Sequence, residues 1–377
     1  MIYILILFII SFSTLISVLL NRDFKILTII IFFIITVMSI FRYGSGTDYF
    51  GYEYHYLVNP ISLYDAVYYN SNINIGYRVL MAFFKSNGVN FQIFIGIISL
   101  FMMSIYLYVI VKNSKIYIIS LLIFYSLYQP IYVESAIRQG IAMSIFFIAF
   151  FIFYKENKKK EYIFLIIIGG MFHYSVFIAI TVPIIDIFYK KFFSNFLFNI
   201  VISVISIICF LLKGDLILIK VLNYLGLNIN YSSGTLNILA ILLRIVIILF
   251  LFLLYKFSCE NRVDNFNKKC IYIYFINTLI FIAFSNMGIL SRATDILCLI
   301  DVILIPNLIW ANNNKLIKLL GIIFIIFVMN TNFIKDKISF LNQGSYFDKN
   351  ILNYPYVSVF NKNDIAKYRV INYFEIE

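Results

Sequence analysis

The chain has 377 residues, 62% of them hydrophobic and 13% charged, with a formal net charge of +12. Soluble globular domains carry about 25% charged residues, so this composition excludes one or two such domains and points to a bilayer as the solvent. The basic excess does not indicate nucleic acid, because the lysines fall in short connections between apolar runs, where lipid headgroups and membrane orientation account for them.

In chain order, apolar runs close to the ~20 residues that cross a ~30 Å hydrocarbon core recur throughout. They occupy 2–20, 25–41, 91–111, 116–133, 136–154, 162–187, 196–212, 236–256, 270–288, 294–311 and 316–330. This predicts an all-α, polytopic transmembrane bundle of about eleven spans over residues 1–331, followed by a polar C-terminal tail, 332–377. The first run has no basic segment before it and no small-residue cleavage site after it, and reads as a retained helix. The four cysteines show no paired spacing, which argues against a disulfide framework or a zinc site.

Basic loops set the orientation, since cytoplasmic connections hold lysine and arginine in excess. Arg22 and Lys25, Lys112 and Lys115, and Lys155 with Lys158–Lys160 agree on an outer N-terminus. They place the long stretch 42–90 and the short connection around Glu134 and Arg138 outside. Within 42–90, residues 75–86 (IGYRVLMAFFKS) have apolar positions at helical spacing and fit an amphipathic interfacial helix. Lys190 and Lys191 then fall on the wrong side. The parity is restored if segment 162–187, which carries Gly169-Gly170 and His173, is broken or re-entrant and returns to the cytoplasmic side. The alternative is one continuous span there and a second irregularity later.

Eight arginines stand beside twenty-two lysines. On this topology Arg42, Arg78, Arg138, Arg244 and Arg292 lie at outer ends of spans or in outer loops, against the positive-inside tendency. A guanidinium keeps its charge and grips phosphate oxygens in pairs. The bland explanation is a set of interfacial anchors or acid pairs, with Arg138 facing Glu134 and Arg292 facing Asp295 at helical spacing. Residues 49–77 hold eight tyrosines, where the chain average gives about two. These form either an interfacial belt or a saccharide groove, for which Tyr49, Tyr52, Tyr77 and Arg78 are the candidates. Asp48 and His173 are candidate proton acceptors, His173 being otherwise a buried neutral imidazole bonded to a carbonyl. There is no metal-ligand spacing, P-loop, GxSxG elbow or HExxH.

The ordered series FRYGSGTDYFGYEYHYL, NIGYRVL, SAIRQGIAMSIFF, GGMFHYSVFIAI and ILSRATDIL resembles the landmarks of the EpsG/Wzy-type polysaccharide (O-antigen) polymerases over about residues 1–300. It departs from them in the Gly-Ser-Gly before Thr47-Asp48 and in Asn74, where an acid often stands. The resemblance implies a bacterial inner-membrane enzyme, without metal or other cofactor, of the architecture of GT-C-type membrane glycosyltransferases. It would join undecaprenyl-pyrophosphate-linked oligosaccharide units, as donor and acceptor, into O-antigen or exopolysaccharide at the outer face. Besides membrane lipids, a chain-length regulator protein is an implied partner. On that chemistry Arg138 and Arg292, then Arg42 and Arg244, would hold the pyrophosphate, with Asp48 or His173 as base. Two other classes also want outer arginines or a membrane histidine: a flippase for lipid-linked oligosaccharide, which usually shows internal repeats absent here, and an acyltransferase of surface sugars.

Overall fold

The computed structural model describes residues 2–192, 195–224, 238–259, 262–285, 287–343, 346–347 and 350–369. Parts of the expected tail, 344–345, 348–349 and 370–377, and the start of the 236–256 run lie outside the described residues. Backbone polar groups that meet hydrocarbon must be satisfied within their own segment, and the apolar runs accordingly fold as helices. Among the described residues β-structure is confined to three isolated bridges.

The helices in order are α1 (Ile2–Leu19), α2 (Lys25–Phe41), α3 (Tyr49–Val58), α4 (Leu63–Tyr68), α5 (Ile75–Ser86), α6 (Phe91–Asn113), α7 (Tyr117–Ile123), α8 (Ile137–Ile148), α9 (Lys159–Phe172), α10 (Thr181–Phe192), α11 (Phe196–Leu211), α12 (Gly214–Tyr224), α13 (Ile238–Phe257), α14 (Asn265–Ala283), α15 (Gly288–Cys298), α16 (Asp301–Ala311), α17 (Lys315–Gln343) and α18 (Ile365–Tyr368). Six helical stretches among the described residues are long and apolar enough to cross a membrane, and a seventh is obtained if α11 and α12, bent by 80°, count as one. The other expected spans are helical too, but differently built. Lys25–Phe41 and Tyr117–Val133 are shorter, and 162–187 is divided. The chain is a helical, multi-pass membrane protein.

The division of 162–187 is a hairpin. Helix α9 ends at Phe172, His173 is extended (φ −156°, ψ 121°), and Tyr174–Ile180 form a tighter 3₁₀ turn leading into α10. The return limb runs back along α9. The Tyr162 hydroxyl donates to the Ala179 carbonyl at 2.7 Å, Gly169 faces Val176 and Gly170 faces Phe177. Lys159 and the end of α10 therefore sit at the same end of the bundle.

That end is the basic one. Lys155 donates to Asn113 Oδ1 at 3.0 Å, Lys269 pairs with Asp186 at 2.9 Å, and the Tyr189 hydroxyl donates to Asn265 at 2.9 Å. Asn307 accepts from the Lys115 amide, and Lys115 and Arg262 both lie over the Trp310 ring. The N-terminus is at the opposite end, where Tyr3 meets the far end of α17.

The opposite end is locked by a buried ion pair. Helix α7 continues as a π-helix, Phe124–Val133, around Pro130. Proline removes a backbone donor and crowds the preceding turn, and the wider coil relieves this. Its wider pitch places Gln129 beside Glu134, and Gln129 Nε2 donates to Glu134 Oε1 at 2.8 Å. The other carboxylate oxygen accepts from Ser45 Oγ at 3.2 Å and from Lys337 Nζ at 3.1 Å. Both charged side chains are 1% exposed, and the ammonium lies 4.0 Å from the Tyr3 ring centre and 4.7 Å from that of Tyr354. Around it the loop after α2 is pinned from two sides. Arg369 donates to the carbonyls of Gly44, Gly46 and Thr47, and Thr47 N donates to Ser135 Oγ. Gly46 has φ +91° and lies so close to the Glu134 carbonyl that a Cβ would sit 2.5 Å from that oxygen. Gly140 lets α8 approach the π-helix, since a Cβ there would overlap the Tyr132 carbonyl oxygen.

Two outcomes are expected. Removing one member of a buried pair strands the other, so Lys337→Met or Glu134→Gln should each lower stability by about 3–5 kcal/mol, whereas the double variant should recover much of that loss; thermal unfolding in detergent reads both. Gly140→Ala should prevent accumulation of folded protein in the membrane, because the colliding atom is backbone, while Gly88→Ala, where a Cβ meets nothing, should be tolerated to within the small strain of its positive φ.

Candidate active site

Four elements far apart in sequence deliver polar side chains to the end of the bundle opposite the lysines. Arg138 is in the first turn of α8. Its Nη1 donates to the Asn72 carbonyl at 3.3 Å, its guanidinium lies 5.9 Å from the centre of the Tyr52 ring, and its Nε is buried with no partner among the described residues. Tyr52 comes from α3 and is itself buried. His173, 7% exposed, sits at the tip of the α9–α10 hairpin, and Arg292 stands exposed on α15, which packs against the 3₁₀ limb of that hairpin.

His173 is held by its own turn. Nδ1 faces Ser175 Oγ at 2.6 Å and accepts from the Ser175 amide at 3.3 Å, and the ring stacks on Tyr174. This capping satisfies the break in the helix and leaves Nε2 without a hydrogen-bond partner among the described residues. The charges of Arg138 and Arg292 both bear on this ring. Gln139, next to Arg138, ties the two helices together by donating from Nε2 to the Arg292 carbonyl at 2.9 Å. On the loop side, burial first and then the Arg138 charge push the His55 imidazole below its ordinary value, and burial raises the Glu53 carboxyl above its own. Asp48 is exposed at the N-terminus of α3, accepts from Thr47 Oγ1 at 2.8 Å, and acts on the same Tyr52 phenol as Arg138.

The structure thus brings together Arg138, Arg292, His173, Tyr52 and, on the loop side, Asp48. Other candidates are placed elsewhere. Arg42 is fully buried and donates to the Ser39 carbonyl, to Ser99 Oγ at 2.6 Å and to the Val133 carbonyl at 2.9 Å, so both terminal nitrogens are spent on the frame, while Nε has no partner among the described residues. Arg244 pairs with Asp295 at 2.5 Å and lies 3.6 Å from the centre of the Phe281 ring. Tyr49 is fully buried with its hydroxyl on Gln92, and Tyr77 is fully buried against Tyr52 and Phe94. Arg78 donates to the Val67 carbonyl at 3.2 Å within the outer loop. Of this group only Tyr52 offers its ring to the arginine site.

The acid partners expected at helical spacing are corrected. Glu134 pairs with Lys337, not Arg138, and Asp295 pairs with Arg244, not Arg292. The chain turns between Glu134 and Ile137, which carries the two side chains of that pair to different faces. Arg138 and Arg292 are thereby left free of carboxylate partners among the described residues. Lys337 and Arg369, which hold the site's frame, carry no motif in the sequence; a lysine among twenty-two was indistinguishable from an interfacial anchor. Among the described residues no three His, Cys, Asp or Glu side chains converge as a metal-ligand set.

A buried helical frame that presents, at one end of a multi-pass bundle, two arginines without carboxylate partners among the described residues beside a histidine defines a helical membrane protein with a candidate polar site. The EpsG family's sequence model matches residues 25–357, and the chain belongs to that family. No curated protein and no solved structure matches it.

Since Arg138 depresses the His55 titration, Arg138→Ala should move the pH at which His55 protonates upward, toward its ordinary value. Histidine-selective NMR in micelles reads this directly; an unchanged or lower titration point would place Arg138 away from the loop.

Proposed function

We propose that the protein is a polysaccharide polymerase that joins lipid-linked oligosaccharide units at the outer face of the bacterial inner membrane. The observation that carries the reading is that Arg138 on α8 and Arg292 on α15, neither paired to a carboxylate among the described residues, stand on helices tied by the Gln139–Arg292 bond and packed against the hairpin that bears His173. Family membership supports the same class of activity.

In this reading the donor glycan is carried on undecaprenyl pyrophosphate, and a sugar hydroxyl of a second lipid-linked unit is the acceptor. The hydroxyl oxygen attacks the anomeric carbon of the donor. As that bond forms, the bond from the anomeric carbon to the pyrophosphate oxygen breaks, and its electron pair leaves on the lipid pyrophosphate. Arg138 and Arg292 stabilise the charge growing there, the work of a preorganised cationic site without a metal. The hydroxyl proton passes to Asp48; His173, whose Nδ1 accepts from the Ser175 amide, carries its proton on Nε2 and donates there to a substrate oxygen. Tyr52 supplies a ring face beside Arg138 for the sugar. Arg42 acts from behind this site, and Arg244, paired with Asp295, is set back from the pyrophosphate. The outer placement of the arginines, an eleven-crossing topology, a GT-C-type architecture and a chain-length regulator as partner belong to the same proposal.

The test is deletion in the parent bacterium, complemented with variants, and a gel of the surface glycan. Deletion should remove the ladder and leave single repeat units. Arg138→Ala and Arg292→Ala should each reduce polymer by about 10²–10³-fold with the protein still in the membrane, and Arg138→Lys should restore little, because an ammonium lacks the fork. Lipid-linked units accumulating on the cytoplasmic side would identify a flippase, and normal ladders lacking acyl groups an acyltransferase.

A further inference from the structure

A second polar region adjoins the arginine site and is absorbed by nothing above. It is a cavity of about 200 Å³ between the π-helix after α7, α13, α15–α16 and α17. Asp336 and Lys335 lie about 30 Å along α17 from its basic end, close to the thickness of a hydrocarbon core. Deeper in, Asp295 lies one turn beyond Arg292 on α15 and is held by Arg244 and by the Tyr132 hydroxyl at 2.8 Å. At the floor Asp301 accepts from the Tyr128 hydroxyl at 2.9 Å.

The lining chooses its ligand. Two cations, Arg244 and Lys335, face three carboxylates, Asp295, Asp301 and Asp336, and Arg244 is already neutralised by Asp295. Set against these carboxylates, the two cations leave no net positive charge to hold a diphosphate, whereas hydroxyl groups would find acceptors in the carboxyl groups and donors in the guanidinium and phenols. Arg244 is 9% exposed, lines the cavity, and keeps Nη1 without a partner among the described residues, a buried donor that a ligand oxygen would satisfy. The tyrosines give the apolar faces that a sugar ring stacks on. The volume is below the roughly 300–1,000 Å³ of sites for drug-sized ligands, and suits one ring rather than an oligosaccharide.

We propose that this cavity is a carbohydrate subsite that seats the hydroxyl-bearing end of the acceptor, while the donor's pyrophosphate is held by Arg138 and Arg292. The inference rests on the polymerase reading and divides its two substrates between two chemically distinct halves of one site. The uncharged, hydroxyl-rich end of the acceptor goes to the carboxylate side, and the leaving anion goes to the arginine side, where Arg292 stands one helical turn from Asp295.

The probe is an alkyl glycoside of the parent strain's repeat unit. It lacks a diphosphate and can serve only as acceptor. With the full chain in nanodiscs, Asp336→Asn, which preserves shape, and Lys335→Met should raise the KM for this acceptor about tenfold and leave the KM for the lipid-pyrophosphate donor unchanged. Equilibrium binding of the radiolabelled glycoside without donor should weaken by the same factor, and Arg138→Ala should leave that binding intact. If the wild type polymerises and binds the glycoside but Asp336→Asn alters neither constant, or raises the donor KM alone, the subsite is overturned. If the wild type makes no polymer yet binds the glycoside in a manner lost in Asp336→Asn, the polymerase reading fails and the carbohydrate subsite stands.

Discussion

The buried contact between Glu134 and Lys337 is the constraint on which the rest of this end of the bundle depends. Removing two charges from water costs several kcal/mol each, and their attraction repays this only where every remaining lone pair and proton is met. Gln129, Ser45, Tyr3 and Tyr354 meet that condition, and each comes from a different part of the chain. The pair is satisfied only when α1, the loop after α2, the π-helix and α17 are all in register. An apolar contact would tolerate a slide of one turn among these elements; this one does not.

The consequence reaches the arginines through geometry rather than contact. Glu134 is fixed in the turn that separates the π-helix from α8, and α8 begins three residues later with Arg138 one position in. The turn is held in place by Gly46 and by the bond from Thr47 to Ser135. The carboxylate nearest to Arg138 in sequence is thus consumed by a lysine two hundred residues away, and the same happens to Asp295 beside Arg292. Both arginines are freed by the competition of other cations for their natural partners. A guanidinium without a carboxylate partner keeps its fork of donors available to an anionic ligand.

Much of this was legible in the sequence because charge in a membrane protein is sparse and directional. The lysines at 158–160 and 190–191 favoured a broken or re-entrant segment between them over one continuous span with a later irregularity, and the chain breaks at His173, beside the glycine pair that permits its close limbs. The identity of the ion pairs was not legible. A spacing of three or four residues pairs side chains only where the helix continues, and at Glu134 it ends. Arg42 misled for a related reason: it stands where an outer arginine should, yet three carbonyl and hydroxyl oxygens of the frame take both its terminal nitrogens. Tyr49 and Tyr77, selected for a saccharide groove, serve largely as packing, since abundance cannot tell an inward ring from an outward one.

Arg369 holds the carbonyls of Gly44, Gly46 and Thr47 from 322 residues further along the chain. A ribosome adding roughly 5–20 residues per second delivers that guanidinium about 15–60 s after the loop it clasps. Through that interval every helix can be inserted while the loop bearing Asp48 still lacks its fastening. The fastening of that loop is therefore timed by the synthesis of Arg369, and a nascent chain arrested upstream would occupy the membrane with its loop unfastened.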